Sequence, residues 1–280
     1  MNTEKNGLMG KVAVITGAGG VICSHFAKTL AGFGVKIALL DRNEQRAYAF
    51  AKGIVESGGC ARAYACDVLN KQNCMDVADR VAWELGNCDI LINGAGGNHP
   101  DATTQDEFFD PNDVDSDTKT FFMLDEDKIR AVMDLNFMGT LIPTQAFAKQ
   151  MVSKGGSIIN ISSMNAYTPL TKIPAYSGAK SAVSNFTQWL AVYFSKVGIR
   201  VNAIAPGFFS TAQNAKLLWN DDGTPTERTK KILMATPMGR FGECSELDGA
   251  LTFLANTEKS AFVTGVVIPV DGGFSAYSGV

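Results

Sequence analysis

The sequence predicts a single α/β domain: a doubly wound, mostly parallel seven-stranded sheet with helices on both faces. Three observations carry this. Apolar runs of strand length alternate with amphipathic stretches of helical period, as strands joined by crossover helices require. The strand runs are continuously apolar, the mark of strands buried on both faces. Finally, 280 residues at 46% apolar composition supply one large core, and no internal repeat or compositional break marks a second domain.

The first strand is Lys11 to Thr16, β-branched and ending in glycines. One helix later comes Val35 to Leu40, then a helical stretch from Asn43 to Ser57. Ala61 to Cys66 reads as the third strand, Cys74 to Leu85 as a helix, and Cys88 to Asn93 as the fourth strand. Asp125 to Lys154 is one long amphipathic stretch. Ser157 to Ser162, Ile199 to Ala205 and Val263 to Val270 complete the strands. Two segments break the rhythm. Asn98 to Asp127 is acidic, carries Phe108, Phe109, Phe121 and Phe122, and is expected to be a loop insertion. Phe208 to Met238 is polar and is expected to be a substrate lid, since long connections often are. Asp113, Asp115 and Asp117 have the early spacing of a calcium loop. Thr118 at the glycine position and Leu124 at the terminal glutamate position defeat it, so no metal is expected.

Composition excludes several functions. The net charge is −3 and no Lys/Arg run stands out, against a nucleic-acid partner. His25 and His99 lie far apart, against a zinc helix or a Ser-His-Asp triad. The stretch from Met1 to Gly10 is polar, and no apolar run is long enough to cross a membrane. The six cysteines form no C-x-x-C pair and read as reduced, mostly buried thiols of a cytoplasmic protein.

The chemistry lies at the strand ends. Thr16-Gly17-Ala18-Gly19-Gly20 leads from the first strand into a helix, where backbone N–H groups and the helix dipole suit a pyrophosphate. Asp41 ends the second strand, 24 residues after Gly17. A carboxylate there accepts both hydroxyls of an adenosine ribose and repels a 2′-phosphate, favouring NAD over NADP. The alternative is that Asp41 only caps the next helix. Tyr176 and Lys180, at i and i+4, share a helix face. An ammonium beside a phenol of pKa about 10 is expected to lower it and ready it for proton exchange with a substrate oxygen. Ser163 stands 13 residues earlier at the end of a strand, where its hydroxyl can bond that oxygen.

With these residues in order, joined by Asp67, Asn93-Gly94-Ala95-Gly96, Asn136 and Pro206-Gly207, the sequence resembles the short-chain dehydrogenases/reductases from about Lys11 to Gly273. The resemblance implies a Rossmann fold and a homotetramer. It also implies catalysis by Tyr176 as acid/base, Lys180 tuning it and holding the nicotinamide ribose, Ser163 orienting the carbonyl, and Asn136 anchoring a proton-relay water. Gly17, Gly19, Gly20, Val21, Ile22, Asp41, Arg42, Asp67, Val68, Asn93, Ala95, Gly96, Pro206, Gly207 and Phe209 would contact NAD, with Tyr176 and Lys180. The sequence departs from the family's T-G-x-x-x-G-x-G turn, because Val21 and Cys23 replace its later glycines.

Within that family, Gly19 to Cys23, Ile92 to Pro100, Ser162 to Ala166 and Val270 to Val280 are similar to the D-mannonate oxidoreductases of short-chain type, or fructuronate reductases, of hexuronate metabolism. This implies NAD-dependent interconversion of D-fructuronate and D-mannonate, a sugar-acid substrate. Asn98, His99 and Asn165 fall on loops after the fourth and fifth strands and are candidate substrate contacts with Ser163 and Tyr176. For His99 the alternative is a loop residue bonded to its own backbone. Lys172 and Arg240 are further candidates for the substrate carboxylate, with a solvated surface role as their alternative. Two other functions stay open: a related enzyme such as a 5-ketogluconate reductase, and a non-catalytic dinucleotide-binding regulator.

Overall fold

The computed structural model describes residues 7–211 and 215–279. Seven strands form one sheet: β1 (Val12–Thr16), β2 (Lys36–Asp41), β3 (Cys60–Ala65), β4 (Ile90–Asn93), β5 (Gly156–Ile161), β6 (Ile199–Pro206) and β7 (Val267–Val270). Their order is β3-β2-β1-β4-β5-β6-β7 and every pairing is parallel. The strand order reverses across the sheet between β1 and β4, so the β1 and β4 loops open side by side at the carboxyl edge.

The core has two layers. Beneath one face, α1 (Val21–Gly32) and α2 (Glu44–Glu56) pack Phe26, Leu30 and Ile54 against Ile15, Ile37 and Leu39. On the other, α3 (Lys71–Glu84) packs Val77 and Val81 against Leu40, Tyr64 and Leu91. Asn43 and Asn70 cap α2 and α3 by accepting backbone N–H groups of the first turn.

The stretch expected as one helix from Asp125 to Lys154 is broken. It comprises α4 (Glu126–Met133), a π turn over Asp134–Met138, and α5 (Gly139–Phe147), with a 3₁₀ turn after it. The π turn inserts one residue into the ladder and carries the buried Asn136. The close approach of α5 to Val68 explains Gly139, since a Cβ there would come within 3.1 Å of Val68 Cγ2. α6 (Pro174–Tyr193) starts on a proline, the residue best suited to a first helical position. The seventh strand is shorter than expected because Val263 to Val266 leads into it as turn and coil.

The acidic segment folds as three 3₁₀ turns, at Pro100–Ala102, Pro111–Asp113 and Phe121–Met123. Asp113 accepts the hydroxyls of Ser116 and Thr118 at 3.0 and 3.1 Å. Phe109 and Phe122 meet edge to face at 5.6 Å, yet all four phenylalanines remain exposed. In the 208–238 segment lie α7 (Ala215–Leu218) and α8 (Glu227–Ala235); residues 212–214 of it lie outside the described residues. α9 (Asp248–Ala255) covers β5 and β6. Among the described residues no helix is long and apolar enough to cross a membrane.

Candidate active site

A cleft of about 520 Å³ opens at the carboxyl edge of β1, β4 and β6. Thr16 ties two of its loops together, its Oγ1 accepting the Gly94 and Ala95 N–H groups at 3.0 and 3.2 Å. Gly17 has φ +64°, and a Cβ there would come within 2.8 Å of Ala95 Cα. A Cβ on Gly96 would lie 2.5 Å from Asn136 Oδ1 and 3.2 Å from Lys180 Nζ. A side chain at Gly17 would run into the backbone of the loop after β4, and one at Gly96 into Asn136 and Lys180, which is why glycine stands at both.

The first turn of α1 faces the cleft with no acidic residue and no side-chain cap, leaving its N–H groups for an anion. Cys23 explains one departure of the turn. Its side chain fills the space against Gly94, and burial pushes the thiol up to about 12, so it packs as a neutral group. Asp41 holds a backbone group on each side of the cleft edge. Oδ2 accepts the Gly19 N–H at 2.9 Å, fixing the turn, and Oδ1 accepts the Asn43 N–H at 2.8 Å, starting α2. Each carboxylate oxygen keeps a further lone pair for a ligand hydroxyl.

At the other end of the cleft stand Tyr176 and Lys180. The Lys180 Nζ lies 5.6 Å from the Tyr176 ring centroid and donates to the Ile161 carbonyl at 2.8 Å. Burial pushes this lysine down to about 8. The expected lowering of Tyr176 by Lys180 is not what the protein's own residues produce. Burial raises the phenol above its ordinary value, and the opposing influence is the hydrogen-bonding hydroxyl of Ser163. Glycines at one end, the carboxylate of Asp41 at the edge of β2, and a tyrosine–lysine pair opposite fit a nicotinamide dinucleotide.

Of the expected contacts, Gly17, Gly19, Gly20, Val21, Ile22, Asp41, Ala95, Gly96, Tyr176, Lys180, Gly207 and Phe209 form the cleft wall. Arg42, Asp67, Val68, Asn93 and Pro206 lie outside it. Asn93 is buried and donates to Thr144 Oγ1 and Asn160 Oδ1 at 2.9 and 2.8 Å, joining α5 to β5. Asp67 holds its own loop through the Leu69 N–H at 3.0 Å. Arg46 and Phe208 also line the cleft, and no local pattern marks them as contacts.

The substrate candidates divide. Asn165 is 3% exposed and its Oδ1 has no partner among the described residues, although its backbone N–H donates to Ser163 Oγ at 3.3 Å. Asn98 donates to Thr103 Oγ1 at 2.9 Å. The His99 ring takes the Asp101 N–H at 3.1 Å and caps the first 3₁₀ turn, its loop-holding alternative. Lys172 Nζ donates to the Gln105 carbonyl at 2.6 Å. Arg240 is spent on Glu246 at 2.6 and 2.7 Å, which leaves no free fork for a substrate carboxylate.

Residues 11–221 match the family model described as short chain dehydrogenase. The protein belongs to the short-chain dehydrogenase family. It is an oxidoreductase of that family, acting on alcohol groups. It is 61% identical to an uncharacterised oxidoreductase of Haemophilus influenzae, covering 100% of this sequence and 99% of the relative. A Haemophilus influenzae protein provisionally named a D-mannonate oxidoreductase, solved with NAD bound, superposes with TM-score 0.94 at 60% identity over 98% of both proteins. The gluconate 5-dehydrogenase of Gluconobacter oxydans is 31% identical over 96% of each protein.

Proposed function

We propose that this short-chain dehydrogenase uses NAD(H) to interconvert D-fructuronate and D-mannonate. The observation that supports it best is the 60% identity, over 98% of both proteins, to the NAD-bound protein provisionally named for that reaction. Asp41 supports the cofactor choice, because its charge stands at the end of β2 where a 2′-phosphate would have to fit.

A bound dihydronicotinamide supplies the hydride. The protein's own residues perform every other part of the reaction. The Ser163 hydroxyl donates a hydrogen bond to the ketone oxygen and orients it, keeping its own proton. Tyr176, kept protonated by burial, gives its phenolic proton to that oxygen as the carbon is reduced, and the alcohol forms. The phenolate left behind lies beside the Lys180 ammonium, which stabilises it until a proton returns from solvent. Run backwards, the same groups remove the proton from the alcohol. Asn165, whose buried carboxamide oxygen has no partner among the described residues, is the side chain we assign to a substrate hydroxyl. A homotetramer is the assembly we carry forward, supported by the exposed, stacked Trp189 and Tyr193 on α6, 4.9 Å apart.

Steady-state NADH oxidation with D-fructuronate, 5-ketogluconate and neutral ketoses tests the substrate. D-Fructuronate is expected to give the highest kcat/KM. A higher value for 5-ketogluconate would replace this reading with that of a 5-ketogluconate reductase, and no turnover of any ketone would favour the non-catalytic regulator.

A further inference from the structure

Phe208 lines more than one cavity. One is the cofactor cleft, and another is a cavity of about 380 Å³. Its walls come from segments distant in sequence. Glu107 belongs to the insertion, Lys172 precedes α6, Arg228 and Lys231 belong to α8, and Phe274 lies after β7. The two cavities therefore meet at one side chain, Phe208, with Tyr176 on the wall of the first and residues of the insertion and α8 on the walls of the second.

The charges in that chamber do not cancel. Glu107 is taken by Lys231 at 2.7 Å, an ion pair that ties the insertion to α8. Glu227, one residue before Arg228, is taken by Lys230 at 2.6 Å. Lys172 rests on a neutral carbonyl at 2.6 Å. It is also the sole described non-glycine residue with positive φ, +73°, held there by the Thr104 N–H on its own carbonyl at 2.9 Å. Arg228 lines the cavity and has no ion-pair or hydrogen-bond partner among the described residues. It stands in the first turn of α8, where the helix dipole opposes a cation. Local preference thus argues against an arginine there, while guanidinium and dipole together favour an anion in the cavity.

We propose that this cavity receives the carboxylate of an acidic sugar substrate and that Arg228 is the specificity-determining residue that holds it, with Lys172 as the second cation. The inference rests on the sugar-acid reading of the Tyr176 site. A guanidinium presents a planar fork that matches a carboxylate, and in the proposed pose Phe208, which lines both cavities, stands between a ketone at Tyr176 and an acid end at Arg228. The Glu107–Lys231 pair holds α8, and with it Arg228, against the insertion.

The test is binding of D-gluconate, a hexonate with no ketone to reduce, to the enzyme loaded with NADH, followed by calorimetry. Arg228 is exposed, so its replacement leaves the fold intact, which a circular dichroism melt checks. Arg228→Met is expected to weaken D-gluconate roughly 10- to 100-fold, Arg228→Lys less. Lys230→Met, on the already paired neighbour, should stay within twofold. In turnover, Arg228→Met should raise KM for D-fructuronate by a similar factor while kcat falls less than threefold. D-Gluconate binding within twofold of the parent in Arg228→Met overturns the proposal, as does tighter binding of D-fructose 6-phosphate than of D-gluconate. If D-fructuronate is not reduced but Arg228→Met still weakens D-gluconate, the substrate assignment falls and the carboxylate site stands. If D-fructuronate is reduced and Arg228→Met leaves its KM unchanged, the reverse holds.

Discussion

The Asn136 side chain and the Gly97 backbone bond each other in both directions. Nδ2 donates to the Gly97 carbonyl at 2.8 Å, and Oδ1 accepts the Gly97 N–H at 3.2 Å. The same Nδ2 donates to the Val132 carbonyl at 2.7 Å, and the residue is fully buried. One carboxamide therefore pins the loop after β4 to the π turn and fixes Gly96 against the cleft.

Asn136→Ala leaves these backbone groups without their partner. Unpaired buried polar groups cost about 1–3 kcal/mol each, so a clear fall in Tm is expected, together with loss of turnover as the Gly96–Gly97 loop drifts. Thermal unfolding and kcat measured on the same sample check this. An unchanged Tm would mean that the loop is held by other contacts.

Tyr176→Phe keeps the ring and removes the oxygen that exchanges the proton. Acid–base catalysis contributes about 10²–10⁴-fold, so kcat should fall by at least that range's lower bound while Tm and NADH affinity stay near the parent values. Retention of a tenth of the rate would place the proton donor elsewhere.

Lys180 makes stability depend on pH in a definite direction. Its folded-state pKa, about 8, is below the ordinary lysine value of 10.5. Below pH 8 the ammonium is charged in both states and the folded state bears the cost of burying it. Between about 8 and 10.5 the unfolded state binds more protons, so that cost is relieved as pH rises. Lys180→Met lacks the penalty. Its Tm advantage over the parent in the absence of cofactor should be greatest near pH 7 and shrink towards pH 10. A constant difference across that range would show that Lys180 is not desolvated in solution.

Asp41→Ala loses the bond to the Gly19 N–H and the charge at the end of β2. NAD affinity should fall, since a charge-assisted bond is worth about 1.5–3 kcal/mol, and the preference over NADP should narrow. The kcat/KM ratio for the two cofactors, parent against variant, is the measurement. A parent protein with no preference would refute the assignment.

Much of this architecture was written in local pattern. Strand runs such as KVAVIT (Lys11–Thr16) and CDILIN (Cys88–Asn93) are apolar through their middles, with polar residues only near the ends, because both faces are covered, and that signal survives without any neighbour being known. Tyr176 and Lys180 were legible for the same reason, since i and i+4 share a helix face whatever surrounds the helix. The stretch from Asp125 to Lys154 was not legible in full. Its periodicity is helical on both sides of the π turn, and the extra residue at Asn136 is dictated by the loop of Gly97 from another strand.

The sequence by itself determined the parallel sheet, the glycine turn, Asp41, and the serine–tyrosine–lysine set, because each depends on residues close in sequence or on the end of a strand. Only the tertiary structure decided which charges remain available. Arg240 is consumed by Glu246, His99 by the backbone of Asp101, and Lys231 by Glu107, 124 positions away. Arg228 is left without a partner among the described residues. The tertiary fold likewise set the direction of the Tyr176 shift, through burial rather than the neighbouring lysine. Charge pairing and desolvation are sums over everything packed around a group, and local sequence pattern carries no record of what folds back against it.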